Sequence, residues 1–313
     1  MFRVRDLAVN VVGFMPELAE VEFYRRRWWE TGAGRRVRTA HASGRSRVFR
    51  NLTQEFRGGT KALAEALNGA RLADSSAHGK QMWFVFEPEK TPSGKVGRSE
   101  AGGVLWLGIH LGMTGELRVE PVDYRPARHD ALVLWLAGSA LVFNDPRQFG
   151  RVRAWLGARG ERPPWLRDLP PEVTGRGFTV ELLRGCLARH ARAPLKAVLL
   201  KQEYFPGIGN WMADEILWRA ALPPALPAGR AAAPKIAKRL HAVIREVARD
   251  ALRVIAGKGR KLPPDLNVHI PDTWLFNHRW EDGGVCPRTR KPLRREEIGG
   301  RTTCWSPARQ RDP

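Results

Sequence analysis

Cysteine, long apolar runs and acidic side chains are all in short supply in this sequence. Its 313 residues include three cysteines, Cys186, Cys286 and Cys304. They are too few and too scattered for a disulfide framework, which points to a reducing compartment. No apolar run approaches the roughly 18–20 residues that would span a bilayer, so a transmembrane helix is excluded. The first fourteen residues carry Arg3, Arg5 and a short apolar stretch, Leu7 to Phe14. That stretch is short for a signal-peptide core and no A-x-A-like cleavage site follows, so a secretory signal is not expected. There are 32 acidic residues against 53 basic ones, a net charge of +21 and a pI of about 11.0. In a chain that is not low-complexity, such an imbalance marks a nucleic-acid binder. No repeat of about 20–50 residues is present.

What is there falls into blocks. Met1 to Phe14 reads as an extension or a mis-assigned start, since Met15 offers a second initiation codon. From Pro16, with Glu17 and Glu20 in its first turn, apolar residues recur at helical spacing. Between about Arg36 and Val152, β-type runs dominate: Gln81–Phe86, Val104–Ile109, Ala131–Trp135 and Ala140–Phe143. Thr91 to Gly103 reads as a solvated loop between two strands. Pro163-Pro164 and Pro170-Pro171 mark a boundary, beyond which Val180–His190, Pro194–Glu203, Trp211–Ala221 and Ala233–Ala256 read as helices. The tail, Trp274 to Gln310, returns to short strands and turns. The expected fold class is α+β, with domain limits at 15–160 (β-sandwich with a leading helix), 172–256 (helical), 257–273 (a basic, Pro-rich loop region) and 274–310 (a terminal hairpin).

Four separated segments carry a resemblance. They are Met15-Pro-Glu-Leu-Ala-Glu-Val-Glu22, His110-Leu-Gly-Met-Thr-Gly115, Asn144-Asp-Pro-Arg-Gln-Phe-Gly150, and Lys201-Gln…Gly207-Ile-Gly-Asn210…Ala213-Asp-Glu215. In this order they resemble the Fpg/Nei family of DNA glycosylase/AP lyases, the formamidopyrimidine branch more than the endonuclease VIII branch. Ala19 and Gln148 depart from the family pattern, which usually has proline and a second arginine there.

The resemblance implies a bifunctional DNA glycosylase/AP lyase of base excision repair, acting on oxidised bases of the formamidopyrimidine or 8-oxoguanine type. Pro16 would be its nucleophile. Internally, a proline before a helix is a good first-turn residue and no more. With Met15 as start and removed, its secondary amine, of a type with pKa about 8, is free to attack the sugar C1′. β- and then δ-elimination would follow. Glu17 and Glu20 would be the carboxylates that move protons, though acids also favour a helix N-terminus. Lys80 would contact the phosphate beside the lesion. Met113 and Phe149 would fill the gap left by the extruded nucleotide, and Arg147 would pair the orphaned base. Pro206-Gly-Ile-Gly-Asn210 matches the helix–two-turn–helix element. On its own, that segment is a tight turn with Asn210 as N-cap, and its exposed N–H groups suit a phosphate. The resemblance puts Asn210 on a backbone phosphate.

The tail departs further. The family's terminal hairpin usually holds zinc by two C-x₂-C pairs. Here Cys286 is kept, Thr289, Ser306 and Arg309 stand at the other three places, and Cys304 lies two residues early. No zinc and no other cofactor is expected, since a structural zinc wants four N/S ligands. Trp274, Trp280 and Trp305 would fill the hairpin core instead, and Arg301, after Gly299-Gly300, would grip phosphates. The implied partner is damaged double-stranded DNA, bound by a monomer in the bacterial cytoplasm at the nucleoid, with no membrane association. A non-catalytic damaged-DNA or DNA-structure binding protein on the same scaffold, and a weaker RNA-binding reading, are the alternatives.

Overall fold

The structure, a computed structural model, describes residues 15–52, 56–88 and 103–313. Residues 1–14 and most of the expected loop Thr91–Gly103 lie outside the described residues.

The first helix, α1 (Leu18–Gly32), buries Ala19, Val21, Phe23, Tyr24 and Trp28. These apolar positions fall on one broad face, so the helix adheres to a sheet while Arg26 and Arg27 stay at its edge. It lies across two four-stranded antiparallel sheets. One has the order β1 (Thr39–Ala42), β6 (Asp130–Trp135), β7 (Ala140–Asn144), β5 (Glu116–Glu120); the other has β2 (Arg71–His78), β3 (Gln81–Glu87), β4 (Gly103–His110), β8 (Arg151–Ala158). A helix α2 (Gly59–Leu67) packs on β1. β7 is buried along its whole length, whereas β8 alternates between inward Val152 and Ala154 and outward Arg151 and Arg153. That difference is what a central strand and an edge strand of a sandwich require. Trp28 ties α1 to both sheets: its ring leans on Phe84 at 5.1 Å and its indole N–H donates to the Arg118 carbonyl.

After the proline-rich connection come α3 (Val180–Arg189), α4 (Leu195–Leu199), α5 (Asn210–Arg219), α6 (Ala228–Ala231) and α7 (Pro234–Val254). Thr179 caps α3 by accepting the Leu182 N–H. α7 buries Ala237, Leu240, Ile244, Val247, Ala248 and Ala251, a stripe at three-to-four spacing. α4 stops at Leu199, four residues short of the helix expected through Glu203, because 200–209 is consumed by tight turns.

The chain closes with a hairpin, β9 (Arg294–Ile298) and β10 (Arg301–Trp305). Gly299 and Gly300 both have positive φ (63° and 73°), the geometry of a two-residue turn that matches strand twist. The hairpin core differs from the expected tryptophan cluster. Trp218 of α5, Leu275, Cys286, Leu293 and Cys304 form it. Trp280 is 41% exposed, and Trp305 turns outward to donate to Glu296. Trp274 is buried, but it stacks on Trp211 of α5 and packs with the main core.

Candidate functional site

Three chain segments meet where the sandwich touches the helical domain. They are the start of α1, the β2–β3 turn at Gly79-Lys80, and the turn Pro206–Gly209. A Cβ on Gly207 would lie 2.8 Å from the Leu18 Cβ and 3.1 Å from the Gly79 Cα, and one on Gly79 would lie 2.8 Å from the Pro206 Cβ. Both glycines also have positive φ. Only glycine allows backbones this close in this conformation. The Leu18 N–H donates to the Gly207 carbonyl across the seam at 3.0 Å.

Pro16 is buried at this junction, immediately before α1. Glu17 is the N-cap residue of α1, yet its carboxylate serves another helix. It accepts the N–H groups of Gly209 (2.8 Å), Trp211 (2.9 Å) and Met212 (3.1 Å) at the start of α5. An anion at a helix N-terminus meets unpaired donors and the positive end of the dipole. Two sequence expectations change here. The N-cap of α5 is Gly209, and Asn210 is its first helical residue. The N–H groups of Gly209, Trp211 and Met212 are already filled by the protein's own carboxylate, so these three are not open to a phosphate. The Asn210 side-chain amide donates to the Thr302 carbonyl of β10 at 2.9 Å.

Glu20, fully buried, accepts the indole N–H of Trp211 at 3.0 Å and the backbone N–H of Glu17 at 3.2 Å. Burial, reinforced by the charge of Glu17, pushes its carboxyl up to about 8. Burial also raises Glu17, against the opposing pull of the Lys80 ammonium and the three N–H donors. Lys80 is lowered by burial, which Glu17 and Glu20 counteract and Arg301 reinforces. Two carboxyls and an amine, each shifted toward neutrality, sit beside Pro16. The Lys80 Nζ lies 3.9 Å from the Met15 Sδ. Pro16, Glu17, Glu20, Lys80 and Arg301 thus share one electrostatic neighbourhood, although residues 17 and 301 belong to opposite ends of the chain.

A second group stands on two interlocked turns. The Asp145 carboxylate accepts the Gly150 N–H at 2.7 Å and the Thr114 hydroxyl at 3.1 Å. A Cβ on Gly112 would meet the Gly150 nitrogen and the Phe149 carbonyl carbon at 2.5 Å. These contacts present Met113, Arg147 and Phe149 together. Phe149 is 51% exposed, with the Arg147 guanidinium 5.0 Å from its ring centre. Gln148 adopts φ 55° and turns back to accept the Arg47 N–H. His110 leads into these turns. Burial, then Lys80 and Arg151, lower it to about 4, and its Nδ1 accepts the Gly112 N–H.

Sequence reasoning missed a buried ionic knot behind Arg301. Asp214 receives Lys196 at 2.6 Å on one oxygen and, on the other, Arg279 at 2.6 Å together with the Cys304 N–H at 3.0 Å. Lys196 also donates to the Thr302 carbonyl, the same acceptor that Asn210 uses. The knot therefore fastens β10 to α4 and α5. Its only sequence signal is the apolar setting of Lys196 in Pro194-Leu-Lys-Ala-Val198.

The residues at the four zinc positions do not suit the metal. Thr289, Ser306 and Arg309 offer no soft donor, and the Cys286 sulfur takes the Trp218 indole N–H at 3.3 Å. Burial opposes ionisation of Cys286, but hydrogen bonding, from Thr289 and Trp218 above all, outweighs it and brings the thiol down to about 7. Arg309 holds the Trp218 and Arg219 carbonyls. Among the described residues, no group of three or more His, Cys, Asp or Glu could hold a metal ion. None of the described helices is long and apolar enough to cross a membrane.

Comparison with known proteins places this geometry. The family models of the formamidopyrimidine-DNA glycosylase N-terminal domain and H2TH domain match residues 15–152 and 169–261. The chain is 33% identical to formamidopyrimidine-DNA glycosylase of Thermus thermophilus over 302 residues, covering 95% of this chain and 98% of that one. It is 31% identical to the enzyme of the same name from Parasynechococcus marenigrum, covering 95% and 100%. Among solved structures, Lactococcus lactis Fpg in complex with DNA containing N7-benzyl-Fapy-dG superposes with a TM-score of 0.73 at 24% identity, over 95% of this chain and all of that one.

Proposed function

Because the chain belongs to the formamidopyrimidine-DNA glycosylase family and is a DNA glycosylase of base excision repair, we propose that it also cuts the abasic site it makes, using the amine of Pro16. The observation that carries this reading is the gathering of buried Glu17 and Glu20 with half-buried Lys80, whose Nζ lies 3.9 Å from the Met15 Sδ, at the residues flanking that proline. The Pro16 nitrogen forms a bond to C1′ as the bond from C1′ to the base breaks. Glu17 is the proton carrier to the sugar oxygen and departing base. Loss of the ring oxygen's bond gives an iminium, which makes the C2′ proton acidic. Removal of that proton expels the 3′ phosphate, and a second elimination expels the 5′ phosphate. Lys80 holds a neighbouring phosphate, Met113 and Phe149 occupy the vacated stack, and Arg147 contacts the opposite base. Asn210 and Arg301 contact the backbone.

The chemistry needs a free amine, and in the sequence as it stands the Pro16 nitrogen is an amide. The reading therefore includes a chain that begins at Met15 and loses it. It further includes oxidised bases of the formamidopyrimidine or 8-oxoguanine type as substrates, damaged duplex DNA as partner, a monomer acting at the bacterial nucleoid, a sandwich domain over 15–160, a helical domain over 172–256 and a finger without zinc.

Borohydride trapping on a duplex with an abasic site tests it, comparing protein begun at Met1 with protein begun at Met15. A covalent adduct from the Met15 form, lost when a residue is placed before Pro16, is the expected result. Tight binding without an adduct from either form would leave the non-catalytic damage-binding reading in its place.

A further inference from the structure

A cavity of about 320 Å³ opens on the outer face of the β2-β3-β4-β8 sheet, beside the Phe149 turn and outside the Pro16 cluster. Strand register explains its make-up. Gln81, His110 and Arg151 form one cross-strand row, and Trp83, Gly108 and Arg153 form the next. Gly108 leaves the hollow: a Cβ there would come within 3.4 Å of the Trp165 indole nitrogen. Trp165, from the short turn of helix at Pro164–Leu166, closes the far wall and takes the Arg153 guanidinium over its ring at 4.5 Å. Arg50 and the exposed Phe149 complete the rim.

This lining is unusual for the outer face of a sheet. Two half-buried indoles offer flat apolar surface, and three guanidiniums surround them. Among the described residues, no hydrogen bond or ion pair engages the guanidinium of Arg50 or Arg151. Two cations held without a counter-charge beside aromatic faces call for a ligand that is both anionic and planar. The volume lies at the lower end of the range of about 300–1,000 Å³ typical of small-ligand sites, which is room for one nucleotide. At one end the cavity is lined by His110, whose Nδ1 accepts the Gly112 N–H of the turn that carries Met113.

We propose that this cavity is a second nucleotide subsite: a base unstacked next to the lesion lies against Trp83 and Trp165 while its phosphate sits between Arg50 and Arg151. The inference rests on the DNA-glycosylase reading above. Two strands could supply the nucleotide, the damaged one or its complement, and they are separable by experiment.

The test uses the full chain and duplexes carrying a stable tetrahydrofuran abasic analogue. 2-Aminopurine is placed beside the analogue on the damaged strand in one duplex, and beside the orphaned base on the complement in another. Binding should brighten the probe on one strand only, and that strand is the source. Arg151→Gln and Arg50→Gln, both at exposed positions, should each weaken binding several-fold and flatten its salt dependence by about one phosphate contact. Trp165→Ala should weaken binding about tenfold and abolish the brightening. Silent probes on both strands, or arginine variants with unchanged affinity and salt slope, would overturn the subsite. Borohydride trapping by the unaltered protein runs alongside. Trapping with silent subsite variants sinks the subsite alone, whereas no trapping with weakened variants sinks the lyase reading alone.

Discussion

The carboxylate of Glu17 fills the space that a side chain on Gly209 would need: a Cβ there would lie 2.3 Å from the Glu17 Cδ. The two residues are 192 positions apart in sequence and are joined by a 2.8 Å hydrogen bond.

Gly209→Ala should therefore be far more damaging than a glycine-to-alanine change in an ordinary turn. The new methyl group must expel the carboxylate and strand three N–H donors at the start of α5. Charge-assisted bonds of this kind contribute about 1.5–3 kcal/mol each. The expected outcome is a loss of at least about 2 kcal/mol in denaturant unfolding, together with loss of base excision in single-turnover assays. Alanine at Gly185, where an added Cβ meets nothing within 4 Å, serves as the control and should cost almost nothing.

Glu20 makes stability pH-dependent. Its ordinary value of 4.5 rises to about 8 in the fold. The unfolded chain releases this proton first, so the stabilisation it confers is full below about 4.5 and is lost as pH rises through about 8. Melting temperature should fall over that interval, and Glu20→Gln should flatten the fall whatever its absolute stability. Parallel curves for the two proteins would show that Glu20 ionises normally.

Asp214→Asn should loosen the hairpin. It leaves Lys196 and Arg279 buried with no full counter-charge, a change that costs about 3–5 kcal/mol in comparable buried pairs. Because Lys196 and Asn210 both hold the Thr302 carbonyl, Arg301 beside it should lose its fixed position. Affinity for abasic-site duplex should drop, and the slope of log affinity against log salt should shallow by about 0.9, as for one lost phosphate contact.

Metal analysis of the purified protein should find zinc well below one per chain, and a chelator should leave the melting temperature in place. Cys286→Ala should instead lower it, because the Trp218 indole N–H loses its acceptor. One zinc per chain would contradict the metal-free finger.

The sequence announced some parts of this molecule and hid others. Strands β3, β4, β6 and β7 are apolar runs and could be placed within one residue at either end. β2, whose text is Arg-Leu-Ala-Asp-Ser-Ser-Ala-His, and β5, Glu-Leu-Arg-Val-Glu, could not, since most of their side chains are polar or half exposed. Pairing with neighbours makes them strands, and pairing is not written locally. The candidate residues were legible through short motifs. Their partnership was not. Nothing near Glu17 in sequence says that its carboxylate caps α5, and nothing near Lys196 says that it is buried against Asp214.

The bonds across the seam have a mechanical consequence. Glu17 is joined to three backbone N–H groups of α5 and Leu18 to Gly207, while Arg26 donates to the carbonyls of Ala256, Gly257 and Arg260 just beyond α7. Such a joint behaves like the closed end of a horseshoe and leaves little hinge. Any bending needed to seat a duplex in the opening then falls on the nucleic acid. Steps weakened by damage or poor stacking bend at lower cost, so a stiff frame would favour faulty positions before any base is inspected.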